Sequence, residues 1–232
     1  MIKSRISNKL LLKVIKETWK LSNTLSFLSP QLKTLHETAF EDAHQYSIIP
    51  NALPPKWLSQ KPKPLTQRSK DIIFLGRWTQ EKGAHDLTSA MSMLEFNVQC
   101  EIYSDAPKEE SHSKCLFHPW VTEDQAQSII RSAKILVLPS YFEAYPTVLL
   151  EAAACGTPFI ATNIAGIPDI AKSSGAGLLI TPGEPEELSQ SIQEILLNDV
   201  LWNELSKNGA SWAKDQTIEK ICNQWDLLYQ KL

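Results

Sequence analysis

The chain has 232 residues, 43% hydrophobic and 21% charged, the balance of a folded protein long enough to bury a sizeable core. A net charge of −3 gives no whole-molecule attraction to nucleic acid or membrane, and no run of about 18 apolar residues offers a transmembrane helix. Four cysteines (Cys100, Cys115, Cys155, Cys222) lack any C-x-x-C spacing, which argues against a disulfide framework or a zinc site. Cys155 stands in an apolar run and reads as a buried free thiol.

The amino-terminal stretch is basic, with Lys3, Arg5, Lys9, Lys13, Lys16 and Lys20 against Glu17. It has no unbroken apolar region of a secretion signal. Ile6, Leu10, Val14 and Ile15 fall near one face of a helix. The ordinary reading is a helix with a solvated basic face. The alternative is a helix lying on an anionic membrane surface. A short strand near Thr24–Leu28, a helix from Ser29 and a short strand near Tyr46–Ile49 follow. Residues 51–70 are rich in proline and lysine, a linker composition.

From Asp71 strands alternate with helices. Strands are expected at Asp71–Leu75, Asn97–Tyr103, Cys115–Phe117, Ile135–Leu138, Phe159–Ala161 and Gly177–Ile180. Helices are expected over 84–94, 123–132, 146–155, 184–198, 200–214 and 217–231. Apolar strands alternating with helices predict an α/β fold, a parallel sheet covered by helices on both faces.

In such a sheet ligands sit beyond the carboxyl ends of the strands. Gly76, expected to let the chain turn close to a ligand, opens a loop carrying Arg77 and Lys82. An arginine fork and a lysine point charge suit phosphate, although two loop cations alone also read as surface charge. A second loop, Pro139 to Pro146, leads into a helix whose free N–H groups would face the same rim. A helix N-terminus binds phosphate. Glu151 lies about one turn into that helix, roughly 6–7 Å from its start, where a carboxylate can accept both hydroxyls of a ribose. Glu143 precedes the helix, where a sugar would hang. Helix-dipole preference alone also favours acids at such positions. Yet Glu151 stands in an apolar run, and a charge there is costly without a partner.

Glu143 and Glu151 form the E-x7-E element that resembles the group-1 (family four) retaining glycosyltransferases of the GT-B fold. Gly76-Arg77, Glu81-Lys82-Gly83, Leu138-Pro139-Ser140, Glu151-Ala152, Gly156-Thr157-Pro158, Ala165-Gly166-Ile167-Pro168 and Pro182-Gly183 extend the likeness along 71–232. The resemblance implies a Rossmann-like domain, the C-terminal, donor-binding half of a GT-B fold. It implies a remnant of the acceptor domain at 1–50, with the N-terminal domain otherwise largely absent, a linker at 51–70 and the donor domain at 71–232. It gives Arg77 and Lys82 the diphosphate, Glu151 the ribose and Glu143 the donor sugar. Main-chain N–H groups of Tyr145, Pro146, Thr147 and Val148 (proline contributing position only) would complete the phosphate site, with the base near His118 and Trp120.

The implied activity is hexosyl transfer, with retention, from a nucleotide diphosphate sugar to a saccharide or lipid-linked acceptor in polysaccharide biosynthesis. A UDP-sugar is the expected donor. Without an Asp-x-Asp motif, the cations would replace a metal, and no cofactor is expected. Expected partners are the donor, the acceptor, a membrane surface met through the basic amino-terminal helix, and a chain supplying the acceptor domain; the expected location is cytoplasmic. Ser104-Asp105-Ala106-Pro107 departs from the family's Gly-x-Gly-Pro, and Asp169 stands where the family has Glu. A non-catalytic sugar-nucleotide module, a sugar-nucleotide epimerase and a structural fragment are the rival readings.

Overall fold

A computed structural model describes residues 14, 17–19, 21–40, 45–107 and 110–231. The expected basic amino-terminal helix lies largely outside these residues. Among the described residues, no helix is long and apolar enough to cross a membrane.

Six strands form one parallel sheet: β3 (Lys70–Leu75), β4 (Cys100–Tyr103), β5 (Cys115–His118), β6 (Ala133–Leu138), β7 (Phe159–Thr162) and β8 (Gly177–Ile180). Their order is β5-β4-β3-β6-β7-β8. The chain therefore starts in the middle at β3, builds outward through β4 and β5, returns beside β3 as β6, and builds outward the other way. A separate parallel pair, β1 (Leu25–Phe27) and β2 (Tyr46–Ile48), flanks helix α1 (Pro30–Phe40).

Both faces of the large sheet are buried, which is why its strands read as continuous apolar runs. Ile72 and Phe74 of β3, with Ile135 and Val137 of β6, face one core cluster. Ile73, Leu136 and Leu138 face the other. The first cluster is closed by α3 (Ala84–Met93) and α7 (Pro185–Leu196). The second is closed by α4 (Glu123–Ser132), α5 (Thr147–Ala154) and α6 (Ile167–Ser174). Trp202 of α8 (Asp199–Ala213) joins the first cluster, while Ile221 and Leu228 of α9 (Ile218–Tyr229) pack with Ile49.

Three details differ from the sequence reading. Strand β4 begins at Cys100 rather than Asn97, and Val98 is buried outside the ladder. Helix α6, opened by Ile167-Pro168, has no counterpart in the expected elements. The proline-rich segment contains helix α2 (Pro55–Leu58) and a 3-10 turn at Leu65–Gln67.

That segment is held tightly. Leu53 and Trp57 are each 1% exposed and join the core under α5. Arg68 is buried, and every arm of its guanidinium is used. Nε donates to Lys63 O at 3.1 Å, one terminal nitrogen to Ala133 O and Thr157 Oγ1 at 2.6 Å each, and the other to Cys155 O at 3.0 Å and Gly156 O at 2.7 Å. The guanidinium also stacks over the Trp202 ring. Burial lowers its pKa to about 10, still far above neutrality, so the cation persists. It crosslinks the approach to β3 with the start of β6 and the turn after α5. Arg68→Ala should lower unfolding free energy by roughly 3 kcal/mol, by leaving several buried carbonyls without donors, read as a drop in the urea midpoint at unchanged slope.

Candidate functional site

All six strands of the large sheet run parallel, so the loops after them gather at one edge. The strand order reverses between β3 and β6, which opens a crevice between the loops that follow those two strands. The loop after β3 carries Gly76, Arg77 and a 3-10 turn at Gln80–Lys82; the loop after β6 runs from Pro139 to Pro146.

The two loops touch at one point that only glycine allows. Gly83 has φ 74, and a Cβ there would lie 2.1 Å from Pro139 O. Tyr141 N–H then donates to Glu81 O at 2.8 Å, tying the second loop to the first. Thr162 Oγ1 donates to Ser140 O at 2.6 Å and fixes that loop from β7. Gly76, expected to be the permissive glycine, has no positive φ, and a Cβ there would meet only the edge of the Phe74 ring at 3.3 Å. Between the two loops, the steric requirement falls at Gly83.

These contacts bring Lys82 and Glu143 together. Lys82 Nζ is 2.5 Å from Glu143 Oε1, with both side chains largely shielded, and Ser140 Oγ donates to the same oxygen at 3.0 Å. Residues expected to hold different parts of a ligand are thus hydrogen-bonded to each other. Arg77 is exposed at the same strand edge.

Helix α5 begins at Thr147, with Pro146 in the cap position at φ −69 and ψ 119 and no side chain capping it. Leu149 N–H turns back to Pro146 O at 3.2 Å. Helix geometry leaves the N–H groups of Thr147 and Val148 without a carbonyl one turn earlier. Here the strand-end rim presents donors and partial positive charge. The side chain of Tyr145 is buried and its hydroxyl is pushed up to about 12, by burial and then by Asp169, so only its main chain faces the helix start. Its carbonyl accepts from Asn51 Nδ2 at 3.0 Å.

Glu151 lies one turn along α5, half-buried. Burial pushes its carboxyl up to about 7, and Glu123 adds to the rise while Lys56 opposes it. Lys56 itself pairs with Glu123 at 2.7 Å, and Trp57 Nε1 donates to Glu123 at 3.2 Å. The partner expected for Glu151 inside the apolar run is therefore not a direct one. A nearby cation is already engaged by another acid.

His118 ends β5 and stacks on Tyr103 with centroids 4.7 Å apart. Its Nε2 lies 3.2 Å from Glu101 Oε2 but outside hydrogen-bond geometry. Glu101 instead takes Lys70 at 2.5 Å and the Tyr103 hydroxyl at 2.6 Å. Trp120 is exposed. Trp78, beside Arg77, packs edge-on between Phe74 of β3 and Phe117 of β5 and so holds the loop after β3 against strand β5.

Several residues outside the expected set shape the site. Asp105 Oδ1 accepts from Trp78 N–H at 2.8 Å, and Ser104 Oγ from Ala106 N–H at 3.1 Å. Side chains thus brace the loop after β4 where the family pattern has glycines. Gly166 lies against Ala144 O and the Tyr145 ring, and the preceding Ala165 has φ 48. Asp169 Oδ2 accepts from Gln31 N–H at 2.8 Å, capping the start of α1. Proline and glycine spacing flagged the Gly166 turn. Nothing local in the sequence marked Asn51, Asp105 or the Gly83 contact.

Comparison with known proteins bears on these features. The glycosyl transferases group 1 family matches residues 55–212, more than half of the chain. An uncharacterized glycosyltransferase of Methanocaldococcus jannaschii is 28% identical over 169 residues, covering 69% of this chain and 48% of the relative. A D-inositol 3-phosphate glycosyltransferase of Streptomyces bingchenggensis is 32% identical over 98 residues, covering 42% of this chain and 22% of the relative. The chain spans about half the length of the first of these curated relatives. Among solved structures, sucrose-phosphate synthase from Thermosynechococcus elongatus superposes with a TM-score of 0.82 at 22% identity, covering 99% of this chain and 65% of that one. Anabaena HepE in complex with UDP-glucose superposes with a TM-score of 0.73 at 18% identity, covering 91% of this chain and 64% of that one. With its six parallel strands and the matched stretch from α2 to α8, the chain belongs to the group 1 glycosyltransferases and has the α/β architecture of the GT-B enzymes.

Proposed function

We propose that this transferase chain binds a nucleotide diphosphate sugar across the β3–β6 crevice and serves hexosyl transfer, with retention, to a saccharide or lipid-linked acceptor. The observation that carries the reading is the juxtaposition of Lys82, Glu143 and the uncapped start of α5 at the topological switch point. Arg77, Lys82 and the helix N–H groups of Thr147 and Val148 are assigned to the diphosphate. Their work is to stabilise the charge that develops on the leaving group as the glycosidic bond breaks, a role that preorganised donors perform best in a shielded site. Lys82 starts paired to Glu143, so diphosphate would exchange one anionic partner for another and free the Glu143 carboxylate for the sugar.

Glu151 is assigned to the ribose. A carboxylate held near neutrality by burial gains most from hydroxyl donors, because these replace the water it has lost. HepE is described as a complex with UDP-glucose, which supports a UDP-sugar as donor. No metal or cofactor enters the proposal. Acceptor contacts and any chain that supplies them are assigned to residues outside 71–232.

UDP, GDP and ADP titrated against the chain discriminate the base. The matching nucleotide should stabilise the fold by about 2.7 kcal/mol at 100 times its dissociation constant, seen as a raised melting temperature. Arg77→Ala with Lys82→Ala should abolish that rise while leaving the ligand-free melt within a few degrees. Absence of a shift with every nucleotide diphosphate sinks the binding proposal.

The raised Glu151 pKa gives a second expectation. A carboxyl that holds its proton more tightly folded than unfolded contributes stability at low pH, lost as pH rises from the usual carboxylate value through about 7. Glu151→Gln should therefore be more stable than the parent chain at pH 8, by on the order of 2 kcal/mol, with the difference vanishing near pH 4. Equal stabilities at both pH values, measured by urea unfolding, would show that the carboxyl is not desolvated.

A further inference from the structure

Two cysteines without a part in the proposed donor site stand side by side at the amino end of the sheet's outer strands. Cys100 opens β4 and Cys115 opens β5, and the parallel register pairs them directly. Both are free thiols and both are buried. In-register positions on adjacent strands lie about 4.8 Å apart, within the range of about 4.4–6.8 Å between Cα atoms that a disulfide spans. Successive side chains alternate between faces, so directly paired residues share one. Here both thiols face the core cluster of Ile72, Leu94 and Val98.

We propose that Cys100 and Cys115 form a peroxide-sensitive dithiol that closes reversibly to an intrachain disulfide linking the edge strand β5 to β4.

The two thiols have different environments. Cys100 is sealed, and burial drives its thiol well above the usual value. The hydrogen bond from Cys100 holds the Cys115 thiol below it. Cys115 also lies on the edge strand and retains 5% exposure, against none for Cys100. Cys115 is therefore the attacking sulfur and Cys100 the resolving one. The Cys115 thiolate attacks one oxygen of hydrogen peroxide. An S–O bond forms, the O–O bond breaks, and hydroxide leaves to take a proton, giving a sulfenic acid. The Cys100 sulfur then attacks that sulfur, the S–O bond breaks, and a second water departs with the thiol proton. Each sulfur has lost one electron and peroxide has gained two. An external dithiol returns both electrons by exchange.

The test uses the full chain with Cys222→Ser, which removes the exposed thiol. After peroxide treatment of the native protein, the chain is denatured, alkylated and digested for mass spectrometry. The expected product is a peptide pair joined through Cys100 and Cys115, two hydrogens lighter than the reduced pair, unalkylated at both positions and restored by dithiothreitol. With Cys100→Ser added, dimedone should label Cys115. The linked peptide is read in a chain that keeps both cysteines, so poor folding of the Cys100→Ser variant does not blunt the result. Alkylation of both Cys100 and Cys115 after oxidation, or oxidation confined to Cys155, overturns the proposal.

Discussion

The two central loops meet at a backbone contact with no room for a side chain. Gly83, in a left-handed conformation, lies directly against the Pro139 carbonyl. Parallel strands β3 and β6 are neighbours because the chain reverses its direction of growth between them. Their loops must diverge to opposite faces of the sheet, and the crevice between them is as narrow as Gly83 permits. The Lys82–Glu143 pair and the Tyr141–Glu81 link accompany that approach, and the Thr162–Ser140 bond holds the second loop from β7. A larger residue at position 83 would push apart the two loops that the proposed diphosphate has to bridge.

The two acids of the crevice are paired unequally. Glu143 has drawn Lys82 into a shielded pair, which limits the rotamer freedom that a long lysine would otherwise lose on binding. Glu151 has the opposite character. Lys56, whose charge opposes the rise in the Glu151 pKa, is engaged by Glu123, and burial pushes the carboxyl up to about 7. One acid of the E-x7-E element is paired with a lysine, and the other has its pKa raised by burial. The second, Glu151, lies where the proposed ribose would bring hydroxyl donors.

The site is also braced from outside the central sheet. Arg68 fastens the proline-rich approach to β3 against the far end of β6, and Asn51 holds the Tyr145 carbonyl at the entry to α5. Asp169 caps α1 with a carboxylate one methylene shorter than the glutamate of the family pattern, and its reach suffices because Gln31 is close. The loop after β4 compensates for its missing glycines with Ser104 and Asp105, whose side chains accept main-chain N–H groups and join that loop to Trp78.

The sequence by itself determined the strand–helix alternation, the parallel sheet buried on both faces, and the loops that carry Arg77, Lys82, Glu143 and Glu151. Each rests on local information: apolar runs, proline and glycine punctuation, and a spaced pair of acids. Helix α6, opened by Ile167-Pro168, lay outside the expected elements. Tertiary structure alone decided that the two loops meet at Gly83, that Lys82 is partnered by Glu143, and that Glu151 is desolvated beside an occupied Lys56. These are contacts between segments tens of residues apart. No local pattern encodes them, because they arise only once strand order has set which loops face each other.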